Sequence, residues 1–380
     1  MLLGATGYTG ALTAEHLTRS AGGARWAVAG RSRQRLESLR ERLAVIDAAA
    51  ADVPLLVVDV EDAASLRRLA QSTKVLATTV GPYLRHGEPV VAACAAAGTD
   101  YADLTGEPEF VDRVWLRHHE QARRTGARLV HSCGFDSIPA DLGALHAVQR
   151  LPEGEPIQLE GHVRAGGTFS GGTYQSMLEV MGRLLPAREL ARRRARLEGR
   201  PAGRRVRGMK GPPRHDANAG GWLLPAPTID PITVLRSARA LRRYGPDFSY
   251  GHYLLVRRLP TAVALAAGAA GLAAAAQLPP LRGALAGLRR SGEGPSEAQR
   301  ARGWFRVRLD GRSPSARVVT EVAGGDPGYG ETSKMLAQAA LCLALDDLPD
   351  VAGQLTPAVA MGEALIRRLE RVGIEFRTVR

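Results

Sequence analysis

Short runs of consecutive apolar residues alternate with longer stretches in which apolar side chains recur at helical spacing, and this alternation continues to about residue 145. The apolar runs are Met1–Leu3, Trp26–Ala29, Pro54–Val60, Val75–Val80, Asp100–Asp103 and Arg128–Ser132. Between them Ala11–Ser20, Arg33–Leu43, Gly87–Gly98, a segment from Pro108 to near Gly126, and Pro139–Leu145 read as helices. Strands apolar at nearly every position must be covered on both faces, and helices inserted one by one between them provide that cover. The pattern predicts an α/β fold with a doubly wound parallel sheet. Only Met1 to Leu3 precede the first glycine, whereas a strand usually has about five residues, so the first strand reads as clipped.

The second half is less regular. Ile157–Arg164 reads as a strand, Gly166–Tyr174 as a Gly/Thr-rich turn and Gln175–Leu185 as a helix. Arg188–Arg207 is an arginine run of the kind that forms a solvated helix face or a mobile loop, and 201–227 is rich in Gly and Pro. Thr261–Leu278 is an uncharged, alanine-rich stretch that reads first as a packed helix, then as an interfacial helix, and last as a membrane span, because alanine gains little on transfer to lipid. Gly303–Leu309 and Ser315–Val322 read as paired strands turning at Asp310-Gly311-Arg312, followed by helices at Glu331–Leu345 and Pro357–Val372 and a last strand at Ile374–Val379.

The chemistry starts in the first turn. Gly4, Gly7 and Gly10 stand between a strand and a helix, where peptide N–H groups must approach a pyrophosphate and a side chain would obstruct them. Gly4, Thr6, Gly7, Tyr8, Thr9 and Gly10 are therefore candidate dinucleotide-binding residues of a Rossmann-type domain. The end of the second strand selects the cofactor. An acid about 20 residues past the glycines would hold a ribose 2′-hydroxyl, whereas arginine and small hydroxyls hold a 2′-phosphate. Arg31 and Ser32 occupy that place, which points to NADP; a solvated loop is the alternative. Asp59, ending the third strand, is placed to accept from an adenine amine or is a plain strand-end acid. Val80, Gly81 and Pro82 turn the chain at the carboxyl edge of the sheet, and Cys133 and Phe135 lie on the loop after the sixth strand; all five are assigned to the cofactor's surroundings.

Composition narrows the class without changing the fold. The 380 residues are 45% hydrophobic and 23% charged, as in a globular protein of two domains. The net charge of +13 comes almost wholly from arginine, since Lys74, Lys210 and Lys334 are the only lysines; this reads in part as a coding bias. No nucleic-acid-binding pattern accompanies it, so nucleic acid is not expected as a partner. Cys94, Cys133 and Cys342 are too widely spaced for a disulfide framework and imply a reducing compartment, and no secretory leader is legible. His118 and His119 are adjacent and cannot both face one ion from a helix, so no metal is expected.

The motifs Gly4-Ala-Thr-Gly-Tyr-Thr-Gly10, Ala29-Gly-Arg-Ser32, Val80-Gly-Pro-Tyr83, Tyr101-Ala-Asp-Leu-Thr-Gly-Glu107 and Cys133-Gly-Phe-Asp-Ser-Ile-Pro139 together resemble the saccharopine dehydrogenase-like superfamily. Gly292-Glu-Gly-Pro-Ser296 and the stretch from Gly324 to Ser333 extend the likeness to its branch of trans-acting enoyl reductases and saccharopine dehydrogenase-like oxidoreductases. The resemblance implies a Rossmann domain over 1–145, a second α+β domain for substrate or oligomerisation over 146–325, and a segment 326–380 of helices and a strand packing back on the first domain. It also implies an NADP-dependent enoyl reductase acting on a polyketide or lipid acyl intermediate, in lipid or glycolipid biosynthesis, with the acyl group presented by a separate synthase or carrier protein. A homodimer, peripheral membrane contact through 261–278, and a cytoplasmic location at the inner face of the plasma membrane belong to the same expectation. A non-catalytic lipid- or membrane-associated protein and a saccharopine dehydrogenase proper are the alternatives.

Hydride delivery to the β-carbon of an unsaturated thioester leaves an enolate that needs a proton. Tyr83, Asp136 and Tyr174 are the candidate donors, with Ser137 beside Asp136; stacking on the cofactor, capping of the next helix and core packing are their respective alternatives.

Overall fold

The computed structural model describes residues 1–166, 178–209, 211–278, 280–281, 285 and 294–379. Six strands, β1 (Leu2–Leu3), β2 (Val28–Gly30), β3 (Leu55–Val57), β4 (Val75–Thr78), β5 (Asp100–Ala102) and β6 (Arg128–Val130), alternate with helices α1 (Tyr8–Ser20), α2 (Arg33–Ile46), α3 (Ala63–Gln71), α4 (Tyr83–Ala97) and α5 (Pro108–Thr125). All pair in parallel. Alternate residues explain the apolar runs: Leu2, Val28, Ala77, Ala102 and Val130 join a core with α1 and α2, while Leu3, Ala29, Leu76, Tyr101 and Leu129 join another with α3, α4 and α5.

Helix α6 (Ile138–Val148) is buried at every residue and packs on the second sheet, which makes it the hinge pin between the two halves. Asp141 on α6 accepts from Ser237 Oγ at 2.5 Å and from Ala358 N at 2.8 Å. Burial outweighs these bonds and pushes its carboxyl up to about 7. A carboxyl protonated more readily in the native state than in the unfolded chain adds stability at low pH that is lost as pH rises through the native value. The urea midpoint is therefore expected to fall as pH rises from about 4 to about 7 and to level off above it, and Asp141→Asn to flatten that dependence. Asp141→Ala strips two buried donors of their acceptor and should cost about 2–4 kcal/mol in the same titration.

The second sheet has eight strands: β7 (Ile157–Gly166), β8 (Arg205–Gly208), β9 (Arg214–Asp216), β10 (Gly221–Pro225), β11 (Asp247–Val256), β12 (Trp304–Arg312), β13 (Arg317–Gly324) and a last one at the C-terminus. β14 (Gly353–Leu355) returns to the first sheet as its seventh strand, parallel to β6. The helix Gly330–Leu345 also returns, packing on α1 and β4.

Three expectations are corrected. The last strand, β15 (Glu375–Thr378), pairs antiparallel with β13 and so completes the second sheet instead of packing on the first domain. Phe376, buried against the core, draws it there. The β12–β13 turn lies at 313–316, closed by Ser313 N donating to Ala316 O at 2.8 Å. Gly311 is inside β12 because Leu151 and Leu159 press on it, at 3.1 and 3.2 Å from where a Cβ would stand. The alanine-rich helix spans Leu259–Ala276 and is exposed, with 11% of its residues buried, so the packed reading fails. Its small side chains present too little area to draw a covering layer. The arginine run forms the helix Leu184–Glu198 with a solvated face, as read, and departs from it at Arg194, which is buried and bonds Gln354 Oε1 at 2.8 Å and Asp112 Oδ1 at 3.3 Å.

Candidate active site

Gly4 follows β1 with a φ of +81°, and a Cβ there would stand 2.8 Å from Thr79 Oγ1. Thr79 Oγ1 donates to Gly4 O at 3.1 Å, which ties the loop to the end of β4. Gly10 lies against the turn so closely that a Cβ would come within 2.2 Å of Gly4 O and 2.9 Å of Ala5 Cα. Gly7 caps α1 without a side-chain bond. The leading N–H groups of α1 have no acceptor inside the helix, and among the described residues no side chain caps them, so the turn fits a dinucleotide pyrophosphate.

At the end of β2, Thr6 Oγ1 lies 3.5 Å from where a Cβ on Gly30 would stand. Arg31 is exposed, and no acid occupies the strand end. Ser32 caps α2, its Oγ accepting from Arg35 N at 3.4 Å, and its own O–H remains a donor. Asp59 is exposed beside this corner; one oxygen accepts from Glu61 N at 3.0 Å and the other is open. The corner suits a 2′-phosphate. Arg31→Ala is expected to lower the NADPH-over-NADH preference about 10–100-fold, the worth of one charge-assisted bond, read as the ratio of two Kd values from fluorescence titration.

Tyr8 departs from its expected place. Its hydroxyl donates to Pro295 O at 2.5 Å and receives Arg300 Nη1, and its ring meets Tyr329 edge-on at 4.6 Å. It anchors the segment 294–300 over the loop, and its side chain is committed to protein contacts. Thr9 remains in the first turn of α1, with its carbonyl accepting from Thr13 Oγ1 at 2.8 Å.

At the carboxyl edge of the sheet, Val80 and Gly81 lead through a cis Gly81–Pro82 peptide into α4. Tyr83 is 6% exposed. Its hydroxyl donates to Thr78 O and accepts from Leu104 N, both at 3.1 Å. Burial and the nearby Asp103 hold its pKa well above the usual value. A phenol so engaged does not face a substrate, and Tyr83 is corrected from proton donor to structural post. Glu107, which the sequence reading gave no role, accepts from Tyr83 N at 3.1 Å and Leu84 N at 2.7 Å and so caps α4. Cys133 is fully buried with its Sγ toward Val130 O at 3.7 Å, so its side chain belongs to the core rather than to the cofactor. Phe135 meets Phe305 of the second sheet edge-on at 5.0 Å. Tyr174 lies outside the described residues.

Asp136 is the candidate that the fold leaves available. It is half-buried, with Oδ2 3.5 Å from where a Cβ on Gly106 would stand, on the loops that follow β5 and β6. Desolvation, then the neighbouring Asp230, push its carboxyl up to about 7. Asp230 opens the helix Asp230–Ala240, and burial raises it to about 7 as well. His252 Nε2 stands 3.6 Å from Asp230 Oδ2, and His252 Nδ1 bonds Tyr250 OH at 2.7 Å. Burial, then His162, lower His252 to about 3, so the imidazole is neutral. A Tyr250 O–H donating to Nδ1 leaves the imidazole proton on Nε2, facing Asp230. Asp230, His252 and Tyr250 went unread in the sequence, although a histidine and a tyrosine two apart within an apolar strand were a signal of an inward polar face.

The saccharopine dehydrogenase NADP binding domain family matches residues 1–130. A Mycobacterium tuberculosis protein provisionally named a trans-acting enoyl reductase is 39% identical over 412 residues, covering 100% of this chain and 97% of its own. The trans-acting enoyl reductase of Mycobacterium leprae is 37% identical over 409 residues, with the same coverage of 100% and 97%. Saccharopine dehydrogenase (L-Glu forming) from Saccharomyces cerevisiae shares the fold at a TM-score of 0.54 and 11% identity, covering 100% of this chain and 99% of that one. With its glycine cradle, its arginine corner and full-length kinship to these reductases, the chain is an NADP-dependent oxidoreductase that belongs to the trans-acting enoyl reductase family.

Proposed function

We propose that the protein reduces the carbon–carbon double bond of an α,β-unsaturated acyl thioester presented by a separate synthase, and that Asp136 supplies the proton. The observation that carries this reading is the placement of Asp136 on the loop after β6, its Oδ2 beside Gly106 on the loop after β5, where burial and then Asp230 raise its carboxyl. NADPH bound at the glycine turn supplies the hydride. Asp136, protonated near neutral pH, donates from its carboxyl oxygen to the enolate carbon. Desolvation, and then Asp230 where it is ionised, keep that proton on Asp136, and the neighbouring Phe135 packs against Phe305 of the second sheet. The groups gathered at Asp136 are a second carboxyl, Asp230, with His252 and Tyr250 behind it, which is unsuitable company for the several carboxylates of saccharopine. Incubation with NADPH and a medium-chain enoyl thioester should consume cofactor and yield the saturated thioester; no consumption overturns the reading.

The exposed helix Leu259–Ala276 supports a second part of the proposal, peripheral contact with a lipid surface at the inner membrane face where acyl substrates reside. Val263 and Leu265 are 58% and 46% exposed, and Arg257 and Arg258 precede the helix. Wild-type protein is expected to float with anionic vesicles, and Val263→Asp/Leu265→Asp to remain in solution; equal flotation would exclude this helix as the contact.

A further inference from the structure

Residues of β12 alternate between two environments. Phe305, Val307 and Leu309 face the core shared with α6, whereas Arg306 and Arg308 face away from it. The register sets Arg306 opposite Arg164 and Arg308 opposite His162 on β7. Arg257 follows the end of β11, and the turn at Ala219-Gly220 closes the far side. These groups surround a cavity of about 260 Å³ on the face of the second sheet away from the cofactor cleft.

Charge in this cavity is out of balance. Among the described residues Glu321 is its one carboxylate, and it is already engaged by Arg377 at 2.5 Å, with Arg308 at 3.7 Å. His162 is directed to Glu160 at 3.3 Å. Arg164 lies 5.5 Å over the Trp304 ring, which fixes its direction. Arg164, Arg257 and Arg306 have no carboxylate ion pair among the described residues. Burial and the three neighbouring guanidinium groups hold Arg164 below its usual pKa. Like charges facing each other across strands destabilise a sheet, so the arrangement lacks its counter-charge.

We propose that this cavity binds a phosphate-bearing anion through Arg164, Arg257, Arg306 and Arg308. Planar guanidinium forks match the spread oxygens of a phosphate, and four of them converging on a concave cavity suit a compact, doubly charged group. An isologous dimer through this face would set arginine against arginine, which disfavours a second copy as the occupant. The site is separate from the 2′-phosphate corner at Arg31, which stands on the other sheet.

The test uses the full chain saturated with NADP, so that the cofactor site is filled, and titrates inorganic phosphate by calorimetry at low salt. One saturable event is expected. Arg306→Ala/Arg308→Ala, two positions on the face of β12 away from the core, should weaken it at least about tenfold while leaving the NADPH Kd unchanged and the melting temperature no lower. No saturable event, or equal affinity in wild type and variant, overturns the proposal. Vesicles of phosphatidylglycerol and of phosphatidylcholine then separate the sources. Recruitment to the anionic vesicles that the double variant loses identifies a lipid headgroup, and recruitment unaffected by the variant identifies a soluble phosphate ester. A dimer in solution dispersed by the same substitutions would overturn the proposal in favour of a second copy.

Discussion

Asp136→Asn should reduce turnover of an enoyl thioester about 10²–10⁴-fold, the usual worth of a positioned general acid, with NADPH affinity unchanged. The asparagine keeps the size and polarity beside Gly106 but has no acidic proton. The wild-type rate should hold at low pH and fall as pH rises through about 7, because the carboxyl is the active form and desolvation with Asp230 places its pKa there. Asp230→Asn removes the neighbouring charge, so the falling limb should move to lower pH with its shape retained. A structural role for Asp136 would lower the rate at every pH and leave the limb where it was. Steady-state profiles of the three proteins distinguish the cases.

Gly10→Ala is expected to abolish measurable NADPH binding and to destabilise the first domain. The new methyl would meet Gly4 O at 2.2 Å and Ala5 Cα at 2.9 Å, both backbone atoms. Relief requires α1 to move away from the turn, which separates the helix N-terminus from the phosphates it is built to hold. Overpacking of this kind costs about 1–3 kcal/mol, read as a lower melting temperature. Gly7→Ala is the control. Its backbone is extended, at a φ of −75°, and its nearest contact would be 3.4 Å, so the fold should tolerate it. Equal binding by Gly10→Ala and wild type would remove the close approach as the reason for glycine there.

These outcomes rest on features that differed in how far the sequence revealed them. The parallel sheet was legible because both of its faces are covered, which leaves continuous apolar runs such as Leu76-Ala77 and Leu129-Val130. The glycine turn was legible because it is local, with Gly4, Gly7 and Gly10 all within one strand-to-helix turn. Side-chain direction at the carboxyl edge was not. Tyr83 and Cys133 stand on the right loops but point into the core, since a turn of one residue in these loops exchanges cleft for core. Asp230 comes beside Asp136, and His252 beside Asp230, only through the packing of distant segments, which no local pattern encodes. The helix Leu259–Ala276 misled in another way, because an apolar composition reads as buried whether or not a partner layer exists.

The most direct measurement follows isotope through one turnover. NADPH deuterated at the transferable position of C4, mixed with an enoyl thioester in ordinary water, should give a saturated product with deuterium on the β-carbon and a solvent-derived proton on the α-carbon. The same reaction with Asp136→Asn should slow at the protonation step. Deuterium on the α-carbon, or no transfer of deuterium to the acyl chain, would contradict enoyl reduction by this protein.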